Sequence, residues 1–195
     1  MRRRKFIFLK SNEYAIFITD QNNSSMEDEV LFSENQRFKQ WWVWALMIGL
    51  NGMLLFGFVK QVILGQSFGS KPTSDAGLMV ITGLMFVLTY FFFRLRLETR
   101  IKKDGIYYRF VPFHGPFRFH AWDNLQKCYI RKYSPILEYG GWGLRLGMYG
   151  KGTAFNVSGN IGLQLKLSNN KKILLGTRKP DEITEVLKKL RQWKE

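Results

Sequence analysis

The sequence predicts a two-helix membrane hairpin followed by an α+β domain, an antiparallel barrel or sandwich of about seven strands capped by one C-terminal helix. Three observations carry that reading. Residues 41–59 and 76–93 are two apolar runs without a charged side chain. From Arg94 onward the hydrophobic period changes to two, the period of half-buried strands. After Pro180 it changes again, to the i, i+3, i+4, i+7 spacing of an amphipathic helix.

Each apolar run is roughly 18–19 residues long and, at about 1.5 Å per helical residue, spans about 27–28 Å. That is close to the roughly 30 Å hydrocarbon core of a bilayer. Neither run has a polar face at helical period, which separates both from the core helices of soluble proteins. Trp41, Trp42 and Trp44 open the first run as interfacial anchors, their amphipathic rings suited to the headgroup level. Lys60 closes it and can snorkel to the opposite surface. Ala45, Gly49 and Gly52 make a small-residue stripe that permits close packing, either on the second span or in self-association of the chain. Asn51 is expected to bond across to Thr82 or Thr89. Neither span carries an acid–base chain or a helix break, which argues against a pump or transporter.

Flanking charge sets the topology. The connection over residues 64–75 holds one basic residue, Lys71, whereas Arg37 and Lys39 precede the first span. Arg94, Arg96, Arg100, Lys102 and Lys103 follow the second. The positive-inside rule therefore places both termini in the cytoplasm and the short loop outside. Residues 1–40 form an N-terminal cytoplasmic segment. It begins Met1-Arg-Arg-Arg-Lys5 and Phe6-Ile-Phe-Leu9 like a signal peptide, but the apolar part is too short and no small-residue cleavage site follows. Residues 11–25 are polar, and natural translation is expected to start at Met26.

Residues 94–195 form the domain. Leu95, Leu97, Thr99 and Ile101 alternate with basic and acidic residues, and Asp104-Gly105 marks a hairpin turn into residues 106–113. Further strands are expected at 117–121, 127–133, 144–148, 153–157, 161–167 and 171–175. Pro180 then opens a helix with Asp181 and Glu182 in its first turn, Lys188, Lys189 and Arg191 at its end, and Ile183, Val186, Leu187 and Leu190 on one face. That face needs an apolar surface, and a bent sheet needs its open end covered.

Two spans, then a strand meander closed by one helix, resemble the bacterial pleckstrin-homology-like (bPH) membrane proteins, over about residues 26–193. The most distinctive segments are Trp122-Asp-Asn-Leu125, Ser134-Pro-Ile-Leu-Glu-Tyr-Gly-Gly-Trp-Gly143, Asn156-Val-Ser-Gly-Asn-Ile-Gly162 and Leu175-Gly-Thr-Arg-Lys-Pro180. The likeness is to the small two-span subgroup of uncharacterised biochemical role. It implies a fold and a bacterial inner-membrane location, and no activity. Of the basic residues that bind lipid in eukaryotic pleckstrin-homology domains, only Lys102 and Lys103 have counterparts here.

Composition narrows the function. The net charge is +15, and from Arg94 onward 21 Lys/Arg face 8 Asp/Glu. This excess suits a cytoplasmic face or attraction to anionic lipids, and it lacks the recognition helix or aromatic-stacking motif of a nucleic-acid binder. Cys128 is the lone cysteine, and His114 and His120 have no partners at ligand spacing, so neither a disulfide nor a metal centre is expected. No cofactor motif occurs: residues 147–153 are glycine-rich but lack the Lys-Ser/Thr pair that opens a phosphate-loop helix. Asn156-Val-Ser158 matches a glycosylation acceptor but suits a turn on a cytoplasmic domain. With no nucleophile–base constellation, the chain is expected to be a non-enzymatic binding module. Arg94, Arg96, Arg100, Lys102 and Lys103 are its expected lipid-facing group. Tyr139, Trp142 and Arg145, in an aromatic and glycine-rich stretch, are its expected partner surface. A sensor of anionic lipid headgroups is the alternative.

Overall fold

The structure is a computed structural model that describes residues 29–147 and 150–195. The signal-like start and Met26 lie outside the described residues. Two helices long and apolar enough to cross a membrane stand beside a domain of two β-sheets. The first helix, α1 (Trp41–Phe58), runs on through a π-helical turn (Val59–Ile63), giving 23 residues where the sequence predicts about 19. The second, α2 (Asp75–Arg94), is N-capped by Ser74, whose Oγ accepts from the Gly77 N–H.

The two helices pack on each other, burying Val43 and Met47 of α1 and Leu78 and Thr82 of α2, while Gly57 lies against Phe68 of the connection. Asn51 Nδ2 donates to Thr89 Oγ1 at 2.8 Å and to its own helix at Met47 O. Of the two alternatives expected for Asn51, Thr89 is the partner; Thr82 donates back to Leu78 O of its own helix. The small-residue stripe is not in the helix–helix contact. A Cβ on Gly49 or Gly52 would meet nothing within 4 Å, because Asn51 and Met47 turn a different face toward α2.

Nine strands build the sheets among the described residues, one more than the eight segments marked in the sequence. The first sheet has the order β1 (Val30–Arg37), β2 (Arg96–Lys102), β3 (Gly105–Val111), β4 (Arg118–Ala121). The second has the order β5 (Leu125–Lys132), β8 (Ile161–Leu167), β9 (Lys172–Gly176), β7 (Thr153–Asn156), β6 (Gly143–Leu146). It is mixed where the sequence suggests antiparallel pairing throughout, because β7 runs parallel to β9. Leu97, Ile101, Ile106 and Phe110 of the first sheet meet Leu163, Leu165 and Leu175 of the second in one core. The C-terminal helix α4 (Pro180–Lys189) closes that core with Ile183 and Leu187. A short helix, α3 (Pro135–Tyr139), lies on the outer face of the second sheet.

The main correction concerns residues 30–37. They are not a leader to the first span but a strand of the domain, paired antiparallel with β2 from Arg37↔Arg96 outward. The domain therefore starts before the hairpin, and both spans are inserted between neighbouring strands. Strand β1 turns Phe32, Glu34 and Gln36 inward. Gln36 Nε2 donates to Gly176 O, and the Glu34 carboxylate accepts from Thr177 Oγ1 at 2.7 Å and from the Arg178 N–H at 2.9 Å. These bonds join β1 to the end of β9, so one strand ties the two sheets together.

Removing a carboxylate that serves two buried donors leaves both without their partner. Glu34→Ala is expected to cost about 3 kcal/mol of stability, read by chemical denaturation in detergent, whereas substitution of exposed Ser33 on the same strand should change it by less than about 0.5 kcal/mol.

Candidate functional site

The structure spreads the expected lipid-facing group along a whole strand and engages most of it internally. Arg94 stacks on and bonds to Tyr90 one turn earlier. Arg96 and Arg109 close on the buried Glu98 carboxylate, each at 2.8 Å. Arg100 and Arg109 both lie over the Phe117 ring, at 4.6 and 4.5 Å from its centroid, and Lys102 lies over Tyr107. Lys103 pairs with Glu29 at 2.9 Å. Six residues separate Arg96 from Lys102, about 20 Å of strand, so the group does not form one compact patch.

The expected partner surface also divides. Tyr139 is 2% exposed and packs with Tyr133, Ala154 and Leu174 beneath α3; its hydroxyl accepts from Arg131 Nη2 at 3.1 Å. It is a core residue of the outer face, not a contact surface. Trp142 is half-buried and donates to Gly159 O at 3.0 Å, while exposed Arg145 donates back to Trp142 O. Both line a cavity of about 220 Å³ with Phe38, Phe91, Phe92 and Phe113 at the base of the spans. Gln40, which directly precedes Trp41, donates to Val157 O. Trp41 and Trp42 are exposed, and Trp44 bonds to Phe38 O. The span-side end of the domain is thus aromatic; on α3, Ile136 and Leu137 are 62% and 77% exposed. Asn156 is buried, donating to Tyr133 Oη and accepting from the Gly143 N–H, so its side chain serves the fold at the end of β7.

Sequence reading missed a strongly basic concavity on the outer face of the second sheet. Lys127 of β5, Lys166 of β8 and Lys172 of β9 are direct cross-strand partners, Lys127↔Lys166 and Lys166↔Lys172. With Lys151 they rim a site of about 400 Å³ whose floor is Tyr129, Arg131 and Gln164. The signal existed in the sequence as Lys at matching positions of three predicted strands, but the strand order that aligns them did not. Gly152 makes the approach of Lys151 possible: it has φ +86, and a Cβ there would collide with Lys172 O. A second cavity, of about 540 Å³ and walled by Tyr108, His114 and Phe155, adjoins the first across Lys172.

The floor is fixed. Arg131 donates through Nε to Gln164 Oε1 at 2.9 Å and through both terminal nitrogens to Glu138, at 3.2 and 2.9 Å. Gln164 Nε2 donates to Leu165 O and Ile173 O. Glu138 also accepts from the Ser134 N–H, and Ser134 Oγ caps Leu137 N, so the carboxylate anchors α3 over the sheet. Gly140, at φ 69, ends that helix in the left-handed conformation. Burial pushes the Glu138 carboxyl up, but Arg131, the Ser134 amide and the charge of Lys151 together outweigh it and hold the group below its ordinary value. Elsewhere, burial pushes the Cys128 thiol up to about 12, leaving it a protonated core side chain. Burial, with the nearby Arg118 charge, pushes His114 and His120 down, so both are neutral near pH 7.

No family model matches this chain, and no curated protein matches it.

The folded protein keeps Glu138 ionised to lower pH than the unfolded chain, whose ordinary value is 4.5. Its stabilisation is complete above that value and vanishes as pH falls through the lowered folded value. Glu138→Gln is expected to cost about 1–2 kcal/mol at pH 7, with the gap from wild type closing below about pH 4.5 in pH-dependent denaturation curves.

Proposed function

We propose that this chain is a membrane-anchored binding module of the bPH-like kind, held in the bacterial inner membrane with both termini in the cytoplasm. The hairpin is its anchor, and the two-sheet domain with its closing helix is the PH-like part that meets partners. The observation that carries this reading is the Arg37↔Arg96 pair. It brings the residues flanking the two spans side by side, so both spans enter and leave on one face of any bilayer they cross.

The chemistry of the domain favours binding over catalysis. Glu34, Glu98 and Glu138 are each engaged in structural bonds. Arg37, Lys39, Arg94 and Arg96 sit at the span-side end, where a positive-inside arrangement places them against cytoplasmic headgroups. Ile136 and Leu137, exposed on α3, are apolar side chains of the kind that fit an interfacial layer. A dedicated lipid-headgroup sensor on β2 has less support, because Glu98, Phe117, Tyr107 and Glu29 already engage that strand's cations and its adjoining Lys103.

Reporter fusions to the full chain test the anchor. Alkaline phosphatase inserted in the connection after residue 66 is expected to be active and a C-terminal fusion inactive, with the chain resisting alkaline extraction. An active C-terminal fusion would invert the proposed topology, and release at alkaline pH would remove the membrane anchor from the reading.

A further inference from the structure

We propose that the lysine-rimmed concavity on the outer face of the second sheet binds a small soluble ligand carrying two or more phosphate groups. Like charges placed directly opposite on neighbouring strands destabilise a sheet. Here three lysines stand in one unbroken cross-strand row, Lys127↔Lys166↔Lys172, spanning two strand spacings, about 10 Å. Lys127 and Lys166 have no ion pair among the described residues; Lys172 reaches only Gly150 O, and Lys151 lies 3.9 Å from Glu138. An arrangement that costs stability when empty is what a polyanion site requires.

The floor defines the ligand further. Gln164 Oε1 is taken by Arg131, so the lining offers ammonium donors and the Tyr129 side chain but no free carboxylate. Five lining cations are offset by the single carboxylate of Glu138, which is bound to Arg131. Each phosphate brings up to two negative charges and three acceptor oxygens, so two phosphates match the residual charge. A volume of about 400 Å³ admits a small molecule, and Tyr129 gives it an aromatic wall.

Position in the fold selects a soluble source over a headgroup of the bilayer that holds the spans. The contacts with the span bases lie at one end of this sheet: Val157 after β7 meets Gln40, and Gly176 of β9 meets Gln36. The lysine row lies at the other end, and the floor runs back along β5 from it to Arg131, whose partner Gly162 pairs with Gly176. Gly152, beside Lys172, is five residues from Val157, about 16 Å along the strand, or two Debye lengths at physiological salt.

The inference rests on the reading of the domain as a binding module held at a membrane. It is tested on the full chain in neutral detergent by thermal unfolding with inorganic pyrophosphate, against sodium chloride of equal ionic strength. Wild type is expected to show a saturable rise in Tm of a few degrees. Lys166→Gln and Lys172→Gln are each expected to abolish at least nine-tenths of that rise while raising the ligand-free Tm, because the like-charge row is relieved. Lys103→Gln, on the first sheet, should retain it. A rise equal to that in chloride, or one kept in Lys166→Gln, overturns the proposal. So does loss of the rise with a lower ligand-free Tm, which marks a folding role, or a response to phosphatidylglycerol nanodiscs with none to pyrophosphate. Alkaline extraction of the same preparations reads anchoring separately: wild type that stays in membranes yet ignores pyrophosphate fails the site alone.

Discussion

The pairing of β1 with β2 is the constraint on which the rest of the structure depends. Those strands are neighbours in the sheet but are separated in sequence by the whole hairpin, residues 38–95. Closing them across such an insertion costs chain entropy, and the bonds of Glu34 and Gln36 to the end of β9 help to offset it. The consequence is mechanical. Gln40 immediately precedes Trp41, and Leu95 immediately follows Arg94, so no flexible linker separates domain from spans. Edge-to-face contacts of Phe38 with Phe92 and of Phe91 with Phe113 fill the junction. The domain is set against the two apolar helices by backbone pairing and packed rings.

Scarce carboxylates distribute the charge. Glu34 joins the sheets, Glu98 holds Arg96 and Arg109, and Glu138 fixes Arg131 beneath α3. With 15 acids against 30 Lys/Arg in the chain, cations are left over. On β2 and β3 the surplus is absorbed by aromatic faces, the Phe117 ring serving Arg100 and Arg109 at once. On the second sheet no acid stands in the lysine row, and the floor beneath it is locked by internal bonds. The difference between the two basic strands is therefore a difference in what neutralises them.

Much of the architecture was legible in the sequence because its inward residues are apolar. Residues 161–167 show this best: Leu163, Leu165 and Leu167 are all buried and alternate visibly. The C-terminal helix was legible for the same reason, through Ile183 and Leu187. Strand β1 was hidden because two of its three inward side chains, Glu34 and Gln36, are polar, so alternation of hydrophobicity fails where alternation of burial holds. Helix α3 was hidden by its five-residue length, although Ser134, Pro135 and Gly140 are its start and stop signals. Tyr139 and Trp142 drew attention as an aromatic, glycine-rich stretch, yet composition could not distinguish a ring buried under α3 from one at the surface. The lysine row required strand order, and strand order here skips from β5 to β8 and back to β7.

Strand β9 is where the anchor and the basic concavity meet. Its last residue, Gly176, accepts the bond from Gln36, and its first, Lys172, completes the lysine row. Between them Ile173, Leu174 and Leu175 are buried on alternating faces, Leu174 under α3 and the other two in the main core. A segment packed on both faces and paired on both edges has little freedom to shift on its own. The lysines are thus held at a fixed station relative to the spans, with the opposite end of the sheet and the aromatic junction between them. A site so placed keeps a fixed distance from the two apolar helices, which is what the proposed pairing of a soluble phosphorylated ligand with a membrane position requires.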